Sequence, residues 1–297
     1  MSGRRRALAL LGGAGSIGWV GLFAAEPSFP TPDKLLLLAL FVGMIFGQAK
    51  QVFYRLGPFV ALLLVYESFR GIAHSLNQRV NFDLLPEADR FLFGELPTKT
   101  LQNLWWNGQT QWYDFVFYLP YLLHFVLPFA LAIVVWKTRE SEYWRFITAF
   151  IGISFAAFVV FLLFPAAPPW MASDLGLIEP ISRISSSVWF SLGINDFPSL
   201  YNQVAPNPVA AVPSLHAAYA TLFALFVIKF YKSRWSYISL IYPALIYVGT
   251  VYQGEHYAID EILGGILAVA GFYTSPHIVR LLNSGFNKTR QIIRKKT

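Results

Sequence analysis

The sequence predicts an all-α fold: a polytopic helical membrane protein with about eight transmembrane helices. Three observations lead there. Only 13% of the 297 residues are charged, against 56% hydrophobic, whereas a soluble surface takes roughly a quarter charged residues. Mean hydropathy is +0.49. The apolar residues also gather in blocks long enough to cross a ~30 Å hydrocarbon core as helices, without the short alternating strands of a barrel.

Taken in order, the blocks fall at 7–25, 34–49, 57–73, 112–136, 144–164, 214–231, 236–254 and 257–280. Arg4, Arg5 and Arg6 precede the first, as in a signal peptide, but no small-residue cleavage site follows before Glu26-Pro27, so a retained span is expected. With the N-terminus placed in the cytoplasm, segments 4–6, 50–55, 137–145, 229–234 and 280–296 hold 17 of the 23 basic residues and, of the acidic ones, only Glu140 and Glu142. That is the positive-inside pattern, so the net charge of +7 reads as topology rather than as affinity for nucleic acid. Trp136, Trp144 and Trp235 then mark inner span ends, and Trp105, Trp106, Trp112 and Trp170 outer ones.

This frame divides the chain into two N-terminal helices (1–56), a six-helix core (57–283) with long outer segments at 74–111 and 165–213, and a basic cytoplasmic tail (284–297) suited to anionic headgroups. The amphipathic stretches Leu85–Phe93 and Thr98–Trp106 are expected to lie along the interface. The absence of cysteine excludes disulfides, thiolate metal sites and cysteine nucleophiles.

Two of the five histidines have unusual settings. Val212-Pro213-Ser214-Leu215-His216 opens the sixth span, with proline where the first helical turn tolerates it. Free N–H groups and positive dipole at such a start bind anions, which makes Ser214 a candidate phosphate contact. His256 and Asp260, in Glu255-His256-Tyr257-Ala258-Ile259-Asp260, stand one helical turn apart at the start of the eighth span. The carboxylate can fix the tautomer and leave the second ring nitrogen free as a nucleophile. Ionisable groups at membrane depth are costly and mark function. Each histidine taken alone is equally compatible with an interfacial hydrogen bond; the pair on one side of the membrane is what points to catalysis.

Pro-Ser-Leu-His followed some forty residues later by His-Tyr-x-x-Asp resembles the type 2 phosphatidic acid phosphatase superfamily. Within it the chain is most similar to the inositol phosphorylceramide synthase and sphingomyelin synthase branch, a likeness shared by Phe164-Pro165-Ala166-Ala167-Pro168-Pro169-Trp170. The resemblance implies a six-helix catalytic core, His256 as nucleophile oriented by Asp260, His216 as general acid, and a phosphohistidine intermediate without cofactor or metal. Two departures matter. The phosphatase branch has Lys, six residues, then Arg-Pro, and no Arg-Pro occurs here; its Ser-Arg pair before the third-motif histidine is replaced by Gly249 and Thr250. Some other group must neutralise the phosphate. Arg70 is the first candidate, with pairing to Glu67 as its structural alternative; Arg183 and His124, the latter between Pro120 and Pro128, are further substrate-binding candidates. His277 falls at the wrong end.

Three functions stay open at this stage: headgroup transfer between a lipid phosphate donor and a lipid acceptor, hydrolysis of a lipid phosphate or isoprenoid diphosphate, and non-enzymatic lipid transport. The site is expected on the extracytoplasmic side of the plasma membrane with both termini cytoplasmic, or on the Golgi lumen side in a eukaryote. Residues 165–212, with Trp170 and Trp189, are expected to cover it. Donor, acceptor and oligomeric state are not legible.

Overall fold

A computed structural model describes residues 3–25, 31–124, 126–193 and 207–296, the side chains of 285–296 excepted. Helix α1 (Gly3–Ala25) packs on α2 (Pro32–Ile45), and α2 packs on α3 (Ala49–Leu76). Proline at the first position of α2 suits a helix start. The chain then turns through Gly47 at φ +70°, a conformation that favours glycine. The second helix is therefore shorter than the expected 34–49, while α3 begins eight residues before the expected 57 and runs through Pro58. The division expected at 56/57 lies inside one helix.

The outer segment after α3 forms two short helices, α4 (Leu84–Phe93) and α5 (Pro97–Trp105). The fourth expected span is two helices, α6 (Trp112–Leu122) and α7 (Val126–Thr138), bent by 51° at a break holding His124. Pro120 and Pro128 each remove a backbone N–H donor, one on either side of that break. Then follow α8 (Glu140–Leu163), α9 (Pro169–Asp174) and α10 (Ile184–Ser191). Residues 194–206 of the second outer segment lie outside the described residues. Helix α11 (Leu215–Tyr231), a 3₁₀ turn (Arg234–Leu240), α12 (Ile241–Tyr252) and α13 (Ala258–Lys296) complete the order. The tail expected from 284 continues α13, and the side chains of Lys288, Arg290, Arg294, Lys295 and Lys296 lie outside the description.

Helices α1, α3, α8 and α13 (to Ser284) are long and apolar enough to cross a membrane singly; α6 and α7 do so as one bent pair. Helices α2, α11 and α12 are shorter, so each of the eight expected positions is helical but not every one spans alone. The chain is a polytopic helical membrane protein. Its main core lies between α3, α7, α8, α11 and α13, where Phe59 meets Phe150 at 5.5 Å and Phe226 meets Phe146 at 5.2 Å and Phe272 at 5.0 Å between ring centroids. A second cluster, Tyr118, Ile184, Val188, Trp189 and Tyr252, ties α6, α10 and α12 together at one end.

That end carries the polar residues, and a glycine decides how closely its helices meet. A Cβ on Gly264 of α13 would lie 2.1 Å from the Ser214 carbonyl oxygen, and one on Gly265 would lie 1.9 Å from the Tyr247 hydroxyl. Small residues let helix backbones touch. Gly264→Ala should therefore push α11 off α13, because the atom it meets is backbone and cannot swing away. We expect a loss of about 1–3 kcal/mol, the usual cost of overpacking, and loss of turnover. Gly152→Ala on α8, with nothing within 4 Å, should leave both unchanged. Thermal unfolding of the two variants in detergent, alongside activity, checks this.

Candidate active site

The site forms where α11 and α13 begin side by side. Ser214 is the N-cap of α11: its hydroxyl accepts from Ala217 N–H at 3.3 Å, and its own N–H donates to the Asp260 carbonyl at 3.0 Å. This second bond joins the two helix starts directly. His216 follows in the first turn of α11.

The start of α13 is capped from a distance. Asp89 of α4, fully buried, accepts Ala258 N–H at 2.9 Å on one carboxylate oxygen and Ile259 N–H at 2.8 Å on the other. These are two of the free donors of a helix N-terminus. Burial pushes the Asp89 carboxyl above the usual carboxylate range, and the two amide bonds pull it part of the way back. Before α13 the chain turns through Gly254 at φ +78°, where a Cβ would meet the Ser182 carbonyl at 2.8 Å. Gln102 of α5 clamps this turn, donating to the carbonyls of Ser182 (2.8 Å) and Tyr252 (2.9 Å) and accepting from Ser182 N–H (2.8 Å). The N–H groups of Glu255 and His256 both reach the Thr250 carbonyl.

The result is a line of three side chains. Asp260 Oδ2 lies 3.1 Å from His256 Nδ1, and His256 Nε2 lies 3.0 Å from His216 Nδ1. A carboxylate only accepts, so the His256 proton sits on Nδ1 and its Nε2 carries the lone pair. The bond between the rings then needs the proton on His216 Nδ1. Tyr121 stacks on His216 at 4.5 Å, and His124 leans on it at 4.3 Å. Packing on two sides fixes the ring.

Both histidines open into a pocket of about 530 Å³, counted out to its mouth, which Arg70, Tyr121, His124, Asn207 and Glu255 also line. Arg70 and His124, two of the residues singled out in the sequence, thus line the same pocket, and Arg70 also pairs with Glu67 at 3.3 Å. The other two expected contacts are placed differently. Ser214 is fully buried and does not line the pocket, because capping α11 and joining α13 use its polar atoms. Arg183 is not a lining residue either. Its guanidinium grips Glu255 through Nε (2.9 Å) and Nη2 (3.4 Å) and lies 4.0 Å from the Trp170 ring centre; Ser185 Oγ also donates to Glu255. Thr250, standing where the phosphatase branch has arginine, hydrogen-bonds Glu261 Oε1 at 2.8 Å. The ligand atoms of His256, Asp260 and Glu261 lie within 4.8 Å of one another.

Sequence reasoning missed Asp89 and Asn207 and gave Glu255 no role. Asp89 carries a weak signal, an acid at a buried position of an otherwise amphipathic stretch. Asn207 carries none beyond its proximity to Pro213-Ser214.

Comparison with known proteins points to the same region. A family model described as the PAP2 superfamily matches residues 85–274. The phosphoinositol dihydroceramide synthase of Bacteroides thetaiotaomicron is 29% identical over 256 residues, 81% of this chain and 82% of its own length. The inositol phosphorylceramide synthase of Candida albicans is 26% identical over 80% of this chain and 51% of its own length. For the catalytic subunit of the Saccharomyces cerevisiae enzyme of that name the figures are 24%, 80% and 60%. The chain thus spans only about half to three fifths of those fungal relatives. No solved structure matches.

The distant cap generates a test. Asp89→Ala leaves two N–H groups at the start of α13 without acceptors and should cost about 1–2 kcal/mol, the value of a good N-cap. Because His256 and Asp260 flank those amides, turnover should fall more than stability does. Asp89→Asn, which keeps one acceptor oxygen, should fall between. Denaturation curves and rates on the same preparations make the comparison.

Proposed function

Since the chain belongs to the PAP2 superfamily, we propose that it transfers an inositol phosphate headgroup from a phospholipid to the hydroxyl of a ceramide-type lipid. The observation that carries this reading is the Asp260–His256–His216 line at the head of the pocket. The names of the relatives supply the lipids.

The phosphoryl group enters between the two rings and replaces their mutual bond. His256 Nε2 attacks phosphorus; the N–P bond forms as the P–O bond to the donor lipid breaks. The leaving oxygen takes the Nδ1 proton of His216, which enters the step as the imidazolium and leaves it as the neutral ring. The acceptor hydroxyl then returns a proton to His216 and attacks phosphorus, breaking the N–P bond. Asp260 stabilises the His256 ring while it is cationic. Arg70 offsets charge on the phosphoryl oxygens. The steps as written use only these side chains, Asp260 Oδ2 being engaged by His256 and Glu261 Oε1 by Thr250, and call on no metal.

Transfer is favoured over hydrolysis because two cations of the hydrolases are replaced by Gly249 and Thr250 and by a chain without Arg-Pro. A covalent intermediate must also be kept from water. Segment 165–193, whose Trp170 N–H donates to the Gly254 carbonyl at 3.1 Å, is the cover. The excess of Lys and Arg in one set of loops supports a site on the opposite, extracytoplasmic side, which would be the outer face of a plasma membrane or the lumenal face of the Golgi in a eukaryote.

Purified protein given headgroup-labelled inositol phospholipid and ceramide should make a labelled ceramide product, and EDTA should not change the rate. Release of free phosphate or inositol phosphate alone would favour hydrolysis; a strict Mg²⁺ requirement would remove this mechanism. His216→Ala, His256→Ala and Asp260→Ala should abolish turnover, with His256→Ala also losing any acid-labile phosphoenzyme and Asp260→Asn retaining a residue of activity. For orientation, Ser173→Cys in this cysteine-free chain should react with an impermeant thiol reagent on intact cells, and Arg139→Cys only after the membrane is opened. The reverse pattern would invert the topology.

A further inference from the structure

Asn207 is only 2% exposed, lines the pocket beside His216, His256 and Arg70, and has a side-chain Nδ2 with no hydrogen-bond partner among the described residues. A buried donor left unpaired costs about 1–3 kcal/mol, and buried polar groups are almost always satisfied. The orientation of the amide follows from its surroundings. Its Oδ1 accepts Val209 N–H at 3.1 Å. An N–H cannot donate to an NH₂ group, so oxygen must occupy that position and nitrogen the other. The backbone behind it is also held: Ala166 N–H donates to the Val209 carbonyl at 2.8 Å, and Ala211 N–H to the Ala166 carbonyl at 3.3 Å. Asn207 is thus a rigid donor at the wall of the pocket.

The charges around the pocket make such a donor useful. Arg70 is its one Lys or Arg among the described residues, and Glu67 pairs with it; Glu255 adds a negative charge that Arg183 and Ser185 hold from behind. A phosphoryl group in transition gains charge on its non-bridging oxygens. Neutral, fixed donors stabilise such charge without the reorganisation that water would need.

We propose that Asn207 is a substrate-contacting residue whose Nδ2–H donates to a non-bridging oxygen of the transferred phosphoryl group, doing part of the work that arginine and lysine do in the phosphatase branch. The inference rests on the reading of this pocket as a phosphoryl site. It is independent of whether the second step is transfer or hydrolysis.

Orthovanadate isolates the claim, because it mimics the phosphoryl group and carries no lipid or headgroup. Its binding to the full-length protein in detergent is compared, by calorimetry, for wild type, Asn207→Ala and Asn207→Asp. The alanine variant removes the donor without adding charge. The aspartate variant keeps an oxygen for Val209 N–H and removes the donor while adding a negative charge, so the two variants are read together. Both should retain a thermal transition and bind vanadate at least ~10-fold more weakly, and kcat on lipid substrates should fall by roughly 10²–10³, as when an oxyanion-hole donor is lost. If either folded variant binds vanadate within twofold of wild type, the proposal is wrong. Weak binding by Asn207→Ala alone would make Asn207 a turn residue, and unchanged binding with slower turnover would make it a contact to a headgroup hydroxyl. A wild type that does not bind vanadate, or two variants that do not fold, would equally overturn it. Failure of the transferase reading shows separately, as absence of labelled ceramide product with vanadate binding intact.

Discussion

Everything at the polar end of this molecule depends on how closely two helices begin beside each other. The Ser214 N–H reaches the Asp260 carbonyl at 3.0 Å, and Gly264, one turn further along α13, leaves no room for a side chain between them. A helix normally leaves its first N–H groups unbonded. Here one start borrows the backbone of the other, and the two histidines are carried to within 3.0 Å as a consequence. Moving the helices apart by the width of a methyl group would break the contact between the two rings.

The surrounding polar groups act as a frame for that contact. Asp89 caps α13 from α4, Gln102 clamps the Gly254 turn from α5, and Arg183 and Ser185 hold Glu255 from around α10. Each partner comes from one of the two outer segments rather than from the spans. Buried charges of this kind add little net stability, because desolvation offsets much of their attraction. Their value is positional: they fix a turn that carries His256, and they do so at the end where the membrane-spanning helices stop.

The same frame accounts for the altered charge of the site. In this chain the position of a phosphatase-branch arginine holds Thr250, whose carbonyl accepts from Glu255 and His256 and whose hydroxyl meets Glu261. It supports the loop rather than the substrate. Arg70 enters from α3, a helix outside the motif region altogether, and carries Glu67 with it. Among the described residues, Arg70 is therefore the one Lys or Arg that lines the pocket.

The sequence by itself determined that the chain is helical and membrane-embedded, because hydropathy in long blocks is a local property that survives any packing. It also determined that His216 stands in the first turn of one helix, that His256 stands just before the start of another, and that Asp260 lies four residues beyond His256, since proline placement and i, i+4 spacing are local too. Only the tertiary structure decided that α2 stops at Ile45 while α3 starts at Ala49, and that the fourth span breaks at His124. Composition there permits either outcome. Only it placed Ser214 behind the pocket, turned Arg183 toward Glu255, and brought in Asp89 and Asn207. Those residues act through contacts that span up to 170 positions of chain. Spacing along one helix cannot encode such contacts, because they depend on how closely separate backbones approach, and that is set by a missing Cβ at Gly264.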